Sequence, residues 1–150
     1  MALPVLNFPE IQCRFQTNAK NTLQIFDAIR KKFVDLTPEE WVRQHLIHYL
    51  INEKKYPASA LSVEKQLLLN GTKKRYDLVV YNTLLKPILI VECKAPSIAL
   101  NQLTIEQVLR YNLSLNVPYI LVTNGMKHIV INLKNKEMQL EYSLPHYSDL

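Results

Sequence analysis

Glycine is nearly absent: Gly71 and Gly125 are the two in 150 residues. That excludes a Gly-x-x-x-x-Gly-Lys-Ser/Thr phosphate loop, which needs a closely spaced glycine pair. Cysteine is equally scarce. Cys13 and Cys93 form neither a metal-type spacing nor a disulfide framework, so both read as reduced structural residues. No apolar run approaches the roughly 18 to 20 residues of a membrane span, and Met1 to Gln12 lacks the basic start and long apolar block of a signal peptide. The expectation is a soluble cytoplasmic protein without a membrane partner. Low-complexity tracts and linker composition are missing as well. With 48% hydrophobic and 21% charged residues, the chain can bury a core and lacks the composition of disorder. Residues 1–150 read as one domain, with 1–36 as an N-terminal hairpin extension and 37–143 as the core.

What is present organises itself by period. Ile11 to Gln16 and Thr22 to Phe26 flank the polar turn Thr17-Asn18-Ala19-Lys20-Asn21 and predict a β-hairpin. Thr37-Pro38-Glu39-Glu40 is a helix start: Thr37 fits the N-cap, Pro38 the first helical position, and Glu40 the third position of a capping box. Trp41, Val42, His45, Leu46, Tyr49 and Leu50 then recur at helical spacing and give one apolar face. After Pro57 the pattern alternates. Leu61, Val63, Lys65, Leu67 and Leu69 fall on one side of a strand, with Glu64 among the exposed positions on the other. A turn at Asn70-Gly71-Thr72-Lys73 leads to strands over Lys74–Tyr81 and Pro87–Lys94, completing a meander. A second helix is expected over Thr104–Asn116, followed by strands over Tyr119–Thr123, His128–Leu133 and Glu137–Tyr142. The strand-helix-strand unit from Ile88 to Thr123 predicts a parallel pair through a crossover.

Charge is placed unusually at one point. Glu92-Cys93-Lys94 ends the apolar run Pro87-Ile88-Leu89-Ile90-Val91, and alternation puts Glu92 and Lys94 on a shared face. Charge at the end of a buried strand is unfavourable unless it is paired or holds an ion. Asp77 stands on the preceding strand, so Asp77 and Glu92 could form a carboxylate pair for a divalent metal. Mg²⁺ takes oxygen ligands and is commonly held by one or two carboxylates and substrate phosphate. Lys94 could orient or deprotonate a water, and the Cys93 main-chain carbonyl is a further potential ligand. Each residue also has a plainer reading. Asp77 fits a sheet-edge residue paired with Lys73 or Lys74, Glu40 is explained by the capping box, and Tyr111 by packing on the sheet. The four histidines show no metal-ligand spacing. Arg30-Lys31-Lys32 and Lys73-Lys74-Arg75 read as solvated basic runs, the second flanking Asp77.

This ordered set resembles the PD-(D/E)xK nuclease superfamily, in which an Asp on one strand and a Glu-x-Lys on the next form the metal site. Gln107-Val108-Leu109-Arg110-Tyr111 matches the Gln-x-x-x-Tyr motif of nuclease domains in type I restriction motor subunits. Thr37-Pro38-Glu39-Glu40-Trp41-Val42-Arg43-Gln44 is similar to that family's opening helix. The resemblance spans roughly Phe26 to Val130. It implies an α/β, restriction-endonuclease-like fold: a mixed β-sheet core flanked by helices. It also implies Asp77 and Glu92 as ligands of Mg²⁺ or Mn²⁺, Lys94 as the catalytic lysine, and Glu40 as a first-helix acid able to contact the metal. Gln107 and Tyr111 would support the site or touch DNA. Tyr76 stands where the superfamily has its proline.

The implied activity is Mg²⁺-dependent DNA endonuclease chemistry. The implied partners are DNA, helicase or specificity subunits, and a second copy in a homodimer for cutting both strands. No helicase motif occurs in the chain, so it is not read as a complete motor subunit. The net charge of +5 and pI near 9.2 are in line with a polyanionic partner. A non-catalytic nucleic-acid-binding or assembly module, and a small-molecule enzyme using the same carboxylates, are the competing readings.

Overall fold

The Thr37 hydroxyl begins the first helix, α1 (Pro38–Asn52), by accepting the Glu40 N–H at 3.0 Å. Pro38 follows in the first turn, where a missing N–H is harmless. This is a computed structural model. It describes residues 3–69, 71–112, 115–134, 139–141 and 143–150, without the side chains of Leu69, Tyr111, Gln139 and Glu141.

Val42, Leu46 and Leu50 on α1 are fully buried and pack in one cluster with Leu78, Val80, Leu89, Val91, Leu121 and Val130. Full burial of such a side chain contributes about 1.5–3 kcal/mol, so this face anchors the helix. The expected single apolar face is only half of the helix's environment. Glu40, Arg43 and Gln44 are buried too. Glu40 and Gln44 face polar groups of a small N-terminal sheet and its turn, Gln44 Nε2 donating to Asp27 at 2.9 Å, while Arg43 reaches Asp77 on the main sheet.

That sheet corrects the expected hairpin. It has three antiparallel strands: β1 (Phe15–Thr17), β2 (Leu23–Asp27) and β3 (Lys32–Asp35). The reason is local. Asp27 Oδ1 accepts the N–H groups of Ile29 and Arg30 at 2.8 and 2.9 Å, and this folds the chain back so that Lys32 pairs with Asp27. Lys31 takes a positive φ in the turn.

The main sheet has six strands in sequence order: β4 (Leu61–Leu69), β5 (Thr72–Tyr81), β6 (Pro87–Cys93), β7 (Tyr119–Thr123), β8 (His128–Asn132) and β9 (Gln139–Glu141). All neighbours are antiparallel except β6 and β7, which are parallel as the crossover requires. The crossover helix α2 (Gln102–Asn112) starts two residues before the expected Thr104. Asn101 explains the shift, because its Oδ1 accepts the Thr104 N–H at 3.0 Å and caps the helix. Of the expected continuation, residues 113 and 114 lie outside the described part. Ile105 and Val108 of α2 pack with Tyr76, Val79, Ile90, Ile120 and Val122, on the sheet face opposite α1. The fold is therefore a mixed α/β sheet covered on both faces. Among the described residues no helix is long and apolar enough to cross a membrane.

The expected strict alternation of β4 breaks at Glu64, whose φ is +52°. Val63 packs on the α1 side and Leu67 on the α2 side, although their spacing of four would put them on one face of a regular strand. β5 does the same at Asp77: Tyr76 packs on the α2 side and Leu78 on the α1 side. Glu64 and Asp77 are the one position skipped in an otherwise continuous β4–β5 ladder. Both strands thus turn over together at one point.

Candidate functional site

Asp77 sits at this break. The last β5–β6 pair in its direction is Leu78 with Val91, so the next position sets Asp77 across from Glu92. Instead of a regular ladder contact, Asp77 Oδ2 accepts the Cys93 N–H at 2.7 Å. Its main-chain carbonyl and Oδ1 both face Arg43 Nη1, at 3.3 and 3.4 Å. Burial pushes the Asp77 carboxyl above its ordinary pKa; Cys93 N–H, Arg43 and Lys94 oppose the shift, and Glu64 adds to it. The expected alternative partners, Lys73 and Lys74, are replaced by Arg43.

Glu92 is worse provided for. Its Oε1 is buried with no hydrogen bond, and Lys74 Nζ reaches it only as a 3.5 Å ion pair. Burial, and then the neighbouring Asp77, raise the Glu92 carboxyl above its usual range. A pair of carboxyls that both resist ionisation in a shared, half-buried place is the electrostatic condition that a divalent cation relieves.

Glu92, Lys94 and Gln107 come together. With Lys74, Thr104 and Val108 they line a cavity of about 250 Å³ between the end of β6 and α2. The Lys94 main chain is fixed by its N–H, which donates to the Thr123 carbonyl of β7 at 2.8 Å. Asp77 is not among the residues lining this cavity; it is tied to the same strand end by the Cys93 N–H. The Tyr111 side chain lies outside the described residues. Its helix is held to the site strand by Tyr76, whose hydroxyl donates to Asn112 Oδ1. Burial, with Glu92 nearby, pushes the Tyr76 phenol up to about 12. Tyr76 is thus a strand-to-helix tie.

Glu40 is placed elsewhere. Its Oε1 accepts from Arg30 Nη2 at 2.6 Å and Arg43 Nη2 at 2.9 Å. Its Oε2 accepts from Arg43 Nε at 2.8 Å and Gln44 Nε2 at 3.2 Å. Four donors fill the acceptor capacity of one carboxylate. Burial would raise the Glu40 carboxyl, but the two arginines outweigh it and hold it below its ordinary value. Among the described residues no three His, Cys, Asp or Glu side chains converge as a metal cluster. What remains for a cation is the Asp77–Glu92 pair and the carbonyl between Glu92 and Lys94.

Sequence reasoning missed Arg30 and Arg43. Arg30 was expected in a solvated run, yet it binds Asp27 at 2.7 Å and Glu40 at 2.6 Å and is only 15% exposed. A signal existed for Arg43, since it follows Glu40 by three positions on a helix, where side chains meet. For Arg30 the local signal was Asp27 three positions earlier; its reach to Glu40 on another element left none.

The sequence model for the type I restriction enzyme R protein N terminus (HSDR_N) matches residues 38–145. Among solved structures, the chain is similar to one from Anabaena variabilis ATCC 29413 described as "a putative nuclease belonging to DUF820". That likeness has a TM-score of 0.51 at 11% identity and covers 80% of this chain and 82% of the other. It speaks for the fold. No curated protein matches the chain.

Proposed function

Because the chain belongs to the family of type I restriction enzyme R protein N termini, we propose that its strand-end site hydrolyses DNA phosphodiester bonds as a Mg²⁺-dependent endonuclease. Mn²⁺ would serve as a substitute. The observation that carries this reading is the buried Glu92 Oε1, without a hydrogen bond and met only by the 3.5 Å Lys74 ion pair, set beside Asp77, with Lys94 on the wall of the same cavity. Hard carboxylate and carbonyl oxygen donors suit Mg²⁺. Bound there, the ion would supply Lewis-acid polarisation of the phosphoryl group and a more acidic water.

The chain's own residues do the rest. Asp77 and Glu92 offer carboxylate oxygens, and the Cys93 carbonyl offers a third donor. The Lys94 ammonium orients the attacking water and offsets charge gathering on the phosphate oxygens. Gln107 faces Lys94 and Glu92 across the cavity and can hold the water or a phosphate oxygen; Tyr111, one helical turn on, is assigned to the same support by the family motif.

Beyond the break, β4 and β5 continue as a two-stranded ribbon through five residue pairs, Lys65 with Tyr76 to Leu69 with Thr72. At strand rise this is roughly 17 Å. Residues 65–76 carry Lys65, Lys73, Lys74 and Arg75 and no acidic residue. Such a ribbon beside the site suits a duplex phosphate backbone. The chain holds no phosphate loop for a motor. A helicase step and sequence choice would come from partner subunits of a restriction assembly or from segments outside these 150 residues.

Plasmid nicking with Mg²⁺ or Mn²⁺ tests the reading. The wild-type chain should nick, and Glu92→Ala and Lys94→Ala should each lose about 10²-fold or more. Equal nicking by all three would mean a contaminant and would end the proposal. A second reading, a nucleic-acid-binding or assembly module without catalysis, is favoured by the internal cations Arg43 and Lys74 on the two carboxylates. Salt-sensitive DNA binding without metal-dependent cutting would select it.

A further inference from the structure

Asp77 is attached to the sheet poorly by its own strand. The ladder skips it and Glu64 across from it, and the backbone at Glu64 sits at φ +52°, a conformation unfavourable for a residue with a side chain. The Cys93 N–H of β6 holds Oδ2 at 2.7 Å, and something outside the sheet has to fix the rest of its position. Arg43 is the group that does so from α1, donating to both the Asp77 carbonyl and Oδ1.

Arg43 is itself immobilised. It is only 9% exposed, its Nε and Nη2 form a fork on the Glu40 carboxylate at 2.8 and 2.9 Å, and Nη2 also stands 3.6 Å from Glu64. A two-point arginine–carboxylate fork fixes the guanidinium plane as well as its place. Glu40 is fixed in turn by Arg30, and Arg30 by Asp27, which accepts from Gln44 as well. The line Asp27–Arg30–Glu40–Arg43–Asp77 runs without a gap from the N-terminal sheet to the break in β5. Its charges alternate in sign, so each member is paired.

From this geometry we infer that Arg43 is a positioning residue for Asp77, held to that task by Glu40, so that the first-helix acid acts through an arginine. The inference rests on the nuclease reading for its consequence in catalysis, though the positioning itself does not. Arg43 sets the direction of Asp77 Oδ1 while the Cys93 N–H sets Oδ2. It also supplies the main-chain carbonyl of Asp77 with a donor. A lysine at this position would keep the charge but lose the fork, since an ammonium cannot hold Glu40 at two points and reach Asp77 in one plane.

The test uses Arg43→Lys and Arg43→Gln in the full chain, the first serving if the second fails to fold. In ¹H–¹⁵N spectra the Cys93 amide, which reports Asp77 Oδ2, should shift and exchange faster in the variants. The amides of Leu121 and Val130 in the sheet centre should stay in place. Titration with Mn²⁺ alone should show affinity reduced about tenfold or more. Plasmid nicking should fall in kcat with KM for DNA unchanged within twofold. A Cys93 amide in Arg43→Lys that coincides with wild type overturns the inference whatever the activity does. A shifted Cys93 amide in a chain that neither takes up Mn²⁺ nor nicks DNA upholds the positioning and removes the nuclease reading instead.

Discussion

Glu92 concentrates the conflict between stability and chemistry. A buried carboxylate oxygen without a hydrogen bond destabilises the fold by roughly 1–3 kcal/mol, and Asp77 beside it adds repulsion. The raised folded-state pKa gives the sign. This contribution is most favourable below the ordinary Glu range and is lost as pH rises toward the raised value. Glu92→Gln, which removes the charge and keeps the shape, should therefore melt higher than wild type at neutral pH. The expected gain is about 2–4 °C for each kcal/mol relieved, read by thermal denaturation while nicking is abolished; a lower melting point would mean that the Lys74 pair outweighs the repulsion. Glu92 was legible in the sequence because an apolar strand ending in Glu-x-Lys is unusual, and Asp77 and Gln107 followed from motif order. The Glu40–Arg43 spacing was legible too, but the reach of Arg43 to Asp77 and the Lys74 contact were not, because side-chain pairing across elements leaves no period in a single chain.

At the scale of elements, the charged contact between α1 and the N-terminal sheet sets the acid limit of the fold. Asp27 is completely buried. Burial alone would raise its carboxyl, but hydrogen bonds from Arg30 and Gln44 hold it below its ordinary value, and Glu40 is lowered in the same way. Such groups stabilise above the unfolded-state carboxylate pKa of about 4, and the contribution disappears as pH falls below that toward the folded values. Acid titration should loosen this contact first. Trp41 is the chain's one tryptophan and lies 6.4 Å from Phe15 of β1, so its fluorescence should change below about pH 4 before the main-sheet circular dichroism does. Asp27→Asn should lose about 1–3 kcal/mol at neutral pH by weakening the charge-assisted hydrogen bonds from Arg30 and Gln44, while Arg30 keeps Glu40; urea denaturation measures the loss. The elements themselves were largely readable. Helix α1, the meander β4 to β6 and the parallel crossover follow from capping chemistry and hydrophobic period. The third N-terminal strand was hidden by its charged sequence, and the turnover at Glu64 and Asp77 leaves the alternation of residue types nearly untouched.

For the molecule as a whole, the ribbon of Lys65, Lys73, Lys74 and Arg75 and the net charge of +5 make DNA affinity a function of salt. Each phosphate contact removed should flatten the log–log salt dependence by about 0.9. Lys73 and Arg75 are exposed and carry no ion pair with a described carboxylate, so the double change Lys73→Ala with Arg75→Ala should reduce the slope by about 2 without altering the melting temperature; an unchanged slope would move the DNA path off the ribbon. The parallel pairing of β6 with β7 has a consequence of another kind, in the order of assembly. Asp77, Glu92 and Lys94 all lie in the local meander of residues 61–94, whereas the neighbour that seals β6 arrives only with residues 119–123. During synthesis the apolar strand Pro87–Cys93 therefore waits with one edge open while some two dozen residues are added. An open edge of that composition invites pairing with other chains. Slowed translation between the two strands would lengthen this wait, and aggregation during expression would rise with it.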